Sequence, residues 1–253
     1  MNKTQISNNY MAEMKNKHIG KKIPEKRNAI VIGSSENNIG KRISERLKQD
    51  GFSVDEFDIS NFDCSKIENV EAKDFSKYDT IIMANGSNNL DWVENQPFEI
   101  IKKQIDDILL ASCIVTKKFV SDTIEEPFKK HIVFIGSMAY KAVLNGSSIY
   151  CAAKAGISHF MKCVAWELAP KGYDVFAIHP SNTLDAPMSE ATIQGLMKYR
   201  NLSREQAEEY WGAILPKESF LTKDQIAEMV SYAVSGKAEY LSGCDLELKG
   251  GQR

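Results

Sequence analysis

Tyr150 and Lys154 are the residues of this 253-residue chain whose types and spacing most directly suggest chemistry. They stand four apart in the run Y-C-A-A-K, so a helix places them on one face, one turn apart. Ser137 lies thirteen residues before Tyr150, directly behind the apolar run H-I-V-F-I-G, which reads as a strand. A strand end and the helix after it can bring hydroxyl, phenol and ammonium together at the carboxyl edge of an open sheet, where α/β folds bind ligands. A free phenol titrates at about 10, and an adjacent ammonium favours its ionised form. Lys154 is therefore expected to lower the pKa of Tyr150 and make it an acid/base partner for an alcohol or carbonyl oxygen. Ser137 would hold that oxygen and stabilise the charge developing on it.

A second constellation precedes this one. The apolar run Ala29 to Ile32 leads straight into G-S-S-E-N-N-I-G, Gly33 to Gly40, and then into residues with helical periodicity. A small-residue turn at a helix N-terminus offers backbone N–H groups and the positive end of the helix dipole to a pyrophosphate. Gly33, Ser35, Asn38, Ile39 and Gly40 are its expected contacts, and Asn37 or Asn38 must take the left-handed backbone that Asn tolerates. The next strand ends at Asp58, 18 residues beyond Gly40, where a carboxylate can accept hydrogen bonds from ribose hydroxyls and repel a 2′-phosphate. Asp63 is a second acid that can face an adenine amino group. Glu36, and no Lys or Arg, sits between Gly33 and Gly40. The pattern favours NAD(H), with NADP(H) as the alternative.

These residues need a scaffold, and the texture from Asn28 onward supplies one: short apolar runs alternate with longer amphipathic stretches, as in a parallel sheet built of βα units. The predicted strands are Ala29 to Ile32, Ser53 to Phe57, Thr80 to Ala84, Ile132 to Ile135, Val175 to Ile178 and Asp245 to Leu248. Predicted helices include one carrying Ile39, Ile43 and Leu47 and stopped at Gly51, one over Phe98 to Thr123, one over Ser148 to Ala169, and one opened by the capping box T-K-D-Q at Thr222. Residues 28–253 thus read as a single doubly wound, Rossmann-like α/β domain. The stretch of about 185–220, with its own capping box at Ser203 to Gln206, reads as a helical insertion and a substrate lid. Met188, Met197, Tyr199, Tyr210 and Trp211 in it can line a pocket or form the insertion's own small core. Residues 1–27 are polar and basic and read as a flexible leader, in which Met11 or Met14 is an alternative start.

Composition narrows the function. With 43% hydrophobic and 26% charged residues and a net charge of −2, the chain fits a globular protein and gives no electrostatic reason to expect nucleic acid. No apolar run is long enough to span a bilayer, so no membrane partner is expected. Five cysteines without a C-x-x-C pair point to reduced thiols and a cytoplasmic setting, and none shares metal-ligand spacing with His18, His131, His159 or His179. His179, before Pro180, reads as structural. Cys151 reads as helix packing.

The motifs in this order resemble the short-chain dehydrogenase/reductase family from Asn28 to Gly251: the glycine turn, M-A-N-G at Met83 to Gly86, Ser137 with Y-C-A-A-K, H-P-S-N-T, and Y-L-S-G-C-D-L-E-L-K-G-G. The resemblance implies a nicotinamide-dependent oxidoreductase that moves a hydride between cofactor and a carbonyl or secondary alcohol. It implies Ser137, Tyr150 and Lys154 as catalytic residues, and Asn85, Gly86, Pro180 and Thr183 as further cofactor contacts along with Tyr150 and Lys154. It also implies a homo-oligomer, a tetramer or dimer, which the broad apolar circumference of the Tyr150 helix supports. Tyr140, Leu144, Asn145 and Met188 are expected to border a small-molecule substrate. The departures are a longer glycine turn with Asn37-Asn38 for glycine, the shifted amide in M-A-N-G, and the absence of the family's helix Asn, to which Asp106 or Asp107 lies nearest. An NADP-linked reductase of carrier-bound 3-oxoacyl chains and a non-catalytic dinucleotide-binding regulator are the alternatives.

Overall fold

Burial on both faces gives the four inner strands of the sheet their short, nearly continuous apolar composition. The computed structural model describes residues 21–251 except 185, 214, 218 and 239. Strands β1 (Asn28–Ile32), β2 (Ser53–Phe57), β3 (Thr80–Met83), β4 (Lys130–Ile135), β5 (Tyr173–Pro180) and β6 (Asp245–Leu248) are all parallel, in the order β2-β1-β3-β4-β5-β6. This is the expected doubly wound sheet in one domain. The chain leaves β1 toward β2 and returns to β3 on the other side, so a crevice opens between the carboxyl ends of β1 and β3. β4 and β5 begin earlier than their apolar runs because Lys130 pairs with Tyr173. β5 also continues to Pro180, opposite Leu248.

Alternating residues of the inner strands feed two cores. Ile30 and Ile32 face one side with Ile108, Val115, Phe119, Ile157 and Met161. Ala29 and Val31 face the other with Ile43, Leu47, Ile226 and Val230. The first side is covered by α3 (Phe98–Ile105), a π-helical turn (Asp106–Leu110), α4 (Ala111–Thr123) and α5 (Ser148–Leu168); α1 (Ile39–Gln49) and α8 (Lys223–Val234) cover the second, and the short α2 (Ile67–Ala72) joins β2 to β3. Each fully buried Ile or Leu contributes roughly 1.5–3 kcal/mol.

Local signals set the helix ends. Asn38 caps α1, its side chain accepting from Lys41 N–H at 2.8 Å. The helix closes with Gly51 N–H on Lys48 O (3.0 Å) and Phe52 N–H on Leu47 O (3.0 Å), the paired bonds of a Schellman ending, with Gly51 at φ +88°. Both expected capping boxes form, at Ser203 with Gln206 and at Thr222 with Gln225.

The insertion consists of α6 (Pro187–Arg200) and α7 (Arg204–Gly212), packed through Ile193, Leu196 and Ala207 with Met197, Leu202 and Trp211 around them. Residues 21–27 make contacts of their own with the domain. Lys22 bridges Phe128. Arg27 bonds Asp79 (2.6 Å), Val234 O (3.0 Å) and Thr80 (2.9 Å), so residues 21–27 lie against the domain. The leader expectation for residues 1–20 lies outside the described residues. Among the described residues no helix is long and apolar enough to cross a membrane.

Candidate active site

Ser137 ends the β4 connection in extended backbone (φ −169°, ψ 152°) and opens a 3₁₀ turn over Met138–Tyr140, its hydroxyl accepting from Ala139 N–H at 3.2 Å. Tyr150 and Lys154 lie on the first turns of α5, both almost wholly buried. The Lys154 ammonium donates to Ile135 O at 2.8 Å, at the end of β4, and its Nζ is 5.7 Å from the centre of the Tyr150 ring. Ser137 and Tyr150 share one cavity of about 160 Å³.

Burial dominates the electrostatics here. It pushes the Tyr150 phenol up to about 12, partly offset by a hydrogen bond with Ser137. It also pulls the Lys154 ammonium down to about 8. The expectation that Lys154 lowers the Tyr150 pKa is therefore not met in this geometry: the ammonium is turned to a backbone carbonyl and is itself poorly solvated. Tyr150 at neutral pH is a protonated phenol, suited to donating a proton.

Of the expected substrate neighbours, Leu144 and Met188 line the Ser137 cavity, as do Pro180, Thr183 and Ile39. Tyr140 and Asn145 do not line it. Tyr140 is turned away, its phenol donating to Glu247 Oε1 (2.5 Å) and its ring lying on His179 with centroids 4.0 Å apart. Asn145 is exposed on the loop and does not line the cavity. Sequence reasoning missed Asn88 and Thr192, which border the same space. It also left open Trp211, which proves to line the cavity and to pack on the insertion's core. Tyr199 instead stacks on Trp92 and Tyr210 lies under Arg200, so the aromatic set divides between pocket and insertion.

A second cavity, of about 290 Å³, opens at the carboxyl ends of β1 and β3 and is lined by Gly33, Ser35, Asn38, Asp58, Asp63, Asn85 and Gly86. The turn is built for close approach. A Cβ on Gly33 would lie 2.5 Å from Ala84 C, and one on Gly40 2.3 Å from Gly33 O. Asn37 takes the left-handed backbone (φ 61°), and Asn38 becomes the cap, its Nδ2 donating to Gly33 O and Ser35 Oγ, both at 2.8 Å. Gly40 and Lys154 line neither cavity. Gly40 serves the turn, while Lys154 Nζ lies 3.8 Å from where a Gly86 side chain would begin.

Two carboxylates in this cavity are held ionised by their own loops. Ser60 donates its hydroxyl and N–H to Asp58, and Ser65 does the same for Asp63; both pKa values are lowered for that reason. Lys41, the base closest in sequence to the turn, is paired with Glu56 at 2.9 Å. Cys64 also lines the cavity, but burial raises its thiol to about 12 and keeps it unreactive.

The helix region without an Asn is resolved into two different aspartates. Asp106 pairs outward with Lys102, whereas Asp107 lines the second cavity, accepts from Ser87 Oγ at 2.8 Å and pairs with Lys103. The π-turn frees the Asp107 carbonyl, which accepts from Asn85 Nδ2, while Asn85 Oδ1 is buried without a partner among the described residues. Ile108 packs against Gly86. A nucleotide fits this donor set: a glycine cradle, a capped helix N-terminus, ionised acids for hydroxyl groups and an unspent amide oxygen.

Comparison with known proteins gives the family and agrees with the fold. A family model described as enoyl-(acyl carrier protein) reductase matches residues 63–253. The chain is 29% identical over 249 residues to the 3-oxoacyl-[acyl-carrier-protein] reductase FabG of Buchnera aphidicola subsp. Baizongia pistaciae, covering 93% of each chain. Among solved structures it resembles sorbitol-6-phosphate 2-dehydrogenase SrlD from Erwinia amylovora (TM-score 0.83, 22% identity, 89% of this chain and 99% of that one). It also resembles a 3-ketoacyl-(acyl-carrier-protein) reductase from Brucella melitensis complexed with NADH (TM-score 0.78, 18% identity, 89% and 97%).

Proposed function

The chain is an oxidoreductase of the short-chain dehydrogenase/reductase family, and from that premise we propose that it reduces a small-molecule carbonyl with NADH. The observation that carries the reading is that Ser137 and the protonated Tyr150 share one cavity while the glycine turn and Asp58 line the next. When bound, the nicotinamide supplies the hydride. Gly33, Ser35, Asn38 and Ile39 are the residues that would hold the pyrophosphate, Asp58 and Asp63 the adenosine, and Asn85, Gly86, Pro180 and Thr183 the nicotinamide half.

Ser137 donates a hydrogen bond to the carbonyl oxygen and holds it beside Tyr150. As negative charge grows on that oxygen, the Tyr150 phenol transfers its proton to it, which general acid catalysis makes worth about 10²–10⁴-fold. Lys154, its Nζ 5.7 Å from the Tyr150 ring, is the cation that would have to turn from Ile135 O to stabilise the phenolate left behind. Leu144 and Met188 bound the substrate, and the two insertion helices form the lid. The ionised Asp58 and the paired Lys41 favour NADH over NADPH.

A second reading is NADPH-linked reduction of a carrier-bound 3-oxoacyl chain, and the name of the Buchnera relative favours that substrate class. A purely regulatory role is disfavoured because a binding module has no use for both hydroxyls at the cavity floor. We further propose a homo-oligomer, since Trp166 on α5 and Phe98 on α3 are 86% and 85% exposed, and a reducing, cytoplasmic setting, since all five thiols are free.

The test is fluorescence titration with NADH and NADPH followed by a screen of ketones and 3-oxoacyl thioesters, using the wild type and Tyr150→Phe. NADH should bind more tightly, and the variant should bind it while losing about 10²-fold or more in turnover. Absence of nucleotide binding, or turnover that survives loss of the phenol, overturns the reading.

A further inference from the structure

The edge strand β6 carries acids on one face where a strand inside a doubly covered sheet would carry apolar residues. Leu246 and Leu248 pack into the second core, whereas Asp245 and Glu247 point to the α5 side. Glu247 reaches the loop that holds Ser137, and Asp245 reaches His179 beside it. Glu247 accepts from the Tyr140 phenol and pairs with Lys141 and Lys249. Asp245 accepts from Ser158 (2.9 Å) and pairs with Lys162 (2.6 Å) on α5, and it lies 2.9 Å from His179 Nε2.

His179 is wholly buried at the end of β5. Its ring lies against Tyr140 and fills the space a side chain at residue 136 would need: a Cβ on Gly136 would come within 2.3 Å of Nδ1. Nδ1 meets the backbone of Ser137 itself, 3.2 Å from its N and 3.1 Å from its O. A carboxylate at Nε2 requires a proton on that nitrogen. In the neutral ring Nδ1 is then an acceptor, and its donor is the Ser137 N–H. Burial holds the His179 pKa below its ordinary value despite Asp245, in keeping with a neutral ring.

We propose that His179, with its tautomer fixed by Asp245, is a positioning residue that sets the backbone of Ser137 and thereby the direction of the serine hydroxyl. The proposal rests on the role given to Ser137 above. It assigns to a His–Asp pair spanning β5 and β6, with the histidine buried, the task of fixing a hydroxyl it does not touch.

Two substitutions separate the ring's nitrogens. His179→Asn keeps an acceptor at the δ position, where Ser137 N–H needs it, and gives up the ε contact to Asp245. His179→Gln keeps an ε donor for Asp245 and gives up the δ acceptor. Hydrogen exchange of the Ser137 amide, measured in the folded full-length protein, should quicken by about five- to ten-fold in His179→Gln, the worth of one hydrogen bond, and stay close to wild type in His179→Asn. The kcat for carbonyl reduction should fall by about ten-fold or more in His179→Gln with NADH affinity unchanged, and His179→Asn should recover most of it. Asp245→Asn, which releases the tautomer, is the second variant should His179→Gln fail to fold, and it should move both readouts in the same direction. Equal exchange and equal kcat in both histidine variants, or wild-type values in His179→Gln and Asp245→Asn, would overturn the proposal. Quickened exchange in a protein that reduces no carbonyl would leave the positioning intact and sink the proposed function instead.

Discussion

Asn38 makes three side-chain hydrogen bonds at the junction of the glycine turn and α1: it accepts from Lys41 N–H and donates to Gly33 O and Ser35 Oγ, each at 2.8 Å. Asn38→Ala removes them all. Loss of an N-cap costs about 1 kcal/mol, and each of the other bonds about 1 kcal/mol or less in this half-buried site, so the variant should lose roughly 2–3 kcal/mol. For a domain of this size that is a fall in Tm of about 5–10 °C, measurable by calorimetry or circular dichroism. Asn38→Asp keeps the cap acceptor and is favoured by the helix dipole, but it gives up both donors and puts a carboxylate where an anion is expected. At an effective dielectric of about 20, unit charges about 5 Å apart repel by roughly 3 kcal/mol, so NADH affinity should drop by about 100-fold while Tm falls less than in the alanine variant. Stability and affinity thus move in opposite orders across the two substitutions. Unchanged NADH affinity in Asn38→Asp would refute the assignment of this turn to the pyrophosphate.

Three other outcomes follow from the same reasoning. Arg27→Ala leaves Asp79 buried without its 2.6 Å partner, and chemical denaturation should register a loss of about 3–5 kcal/mol. Lys154 has a folded pKa of about 8 against an ordinary 10.5, so its charge opposes folding fully below pH 8, and the penalty disappears as pH rises toward 10.5. Lys154→Met should accordingly gain roughly 1–3 kcal/mol at pH 7, lose that advantage by pH 10.5, and be inactive; a pH-independent difference in stability would contradict the burial argument. Asp58→Ala should weaken NADH binding and narrow the preference over NADPH by about ten-fold in titration.

Much of the site is visible in local periodicity. Tyr150 and Lys154 fall one turn apart because four residues slightly exceed one helical turn, and Ser137 falls at their level because a strand must end before a loop can reach that helix. The turn Gly33 to Gly40 was legible for the same reason, though only the coordinates decide that Asn37 takes the left-handed backbone and Asn38 the cap. Local chemistry could not choose between Asp106 and Asp107, since a π-helical turn rotates one outward and the other into the cavity.

The surroundings of Tyr140 have a less local origin. Its partner Glu247 lies more than a hundred residues away, and the sheet register brings that acid opposite His179. The tyrosine's own sequence neighbourhood carries no trace of that pairing. The pKa of Tyr150 is a similar case: adjacency of Lys154 argued for a lowered value, but desolvation depends on everything packed around both groups, and it wins. The alternation D-L-E-L held a usable signal, two acids on one strand face, whose meaning appears only once β6 is set against β5. The sequence by itself therefore determined the strand-and-helix alternation, the glycine turn and the Ser-Tyr-Lys spacing, all of which arise from contacts within a few residues. The tertiary structure alone decided which polar groups are buried together, because that depends on strand register and on the two-sided packing of a closed core.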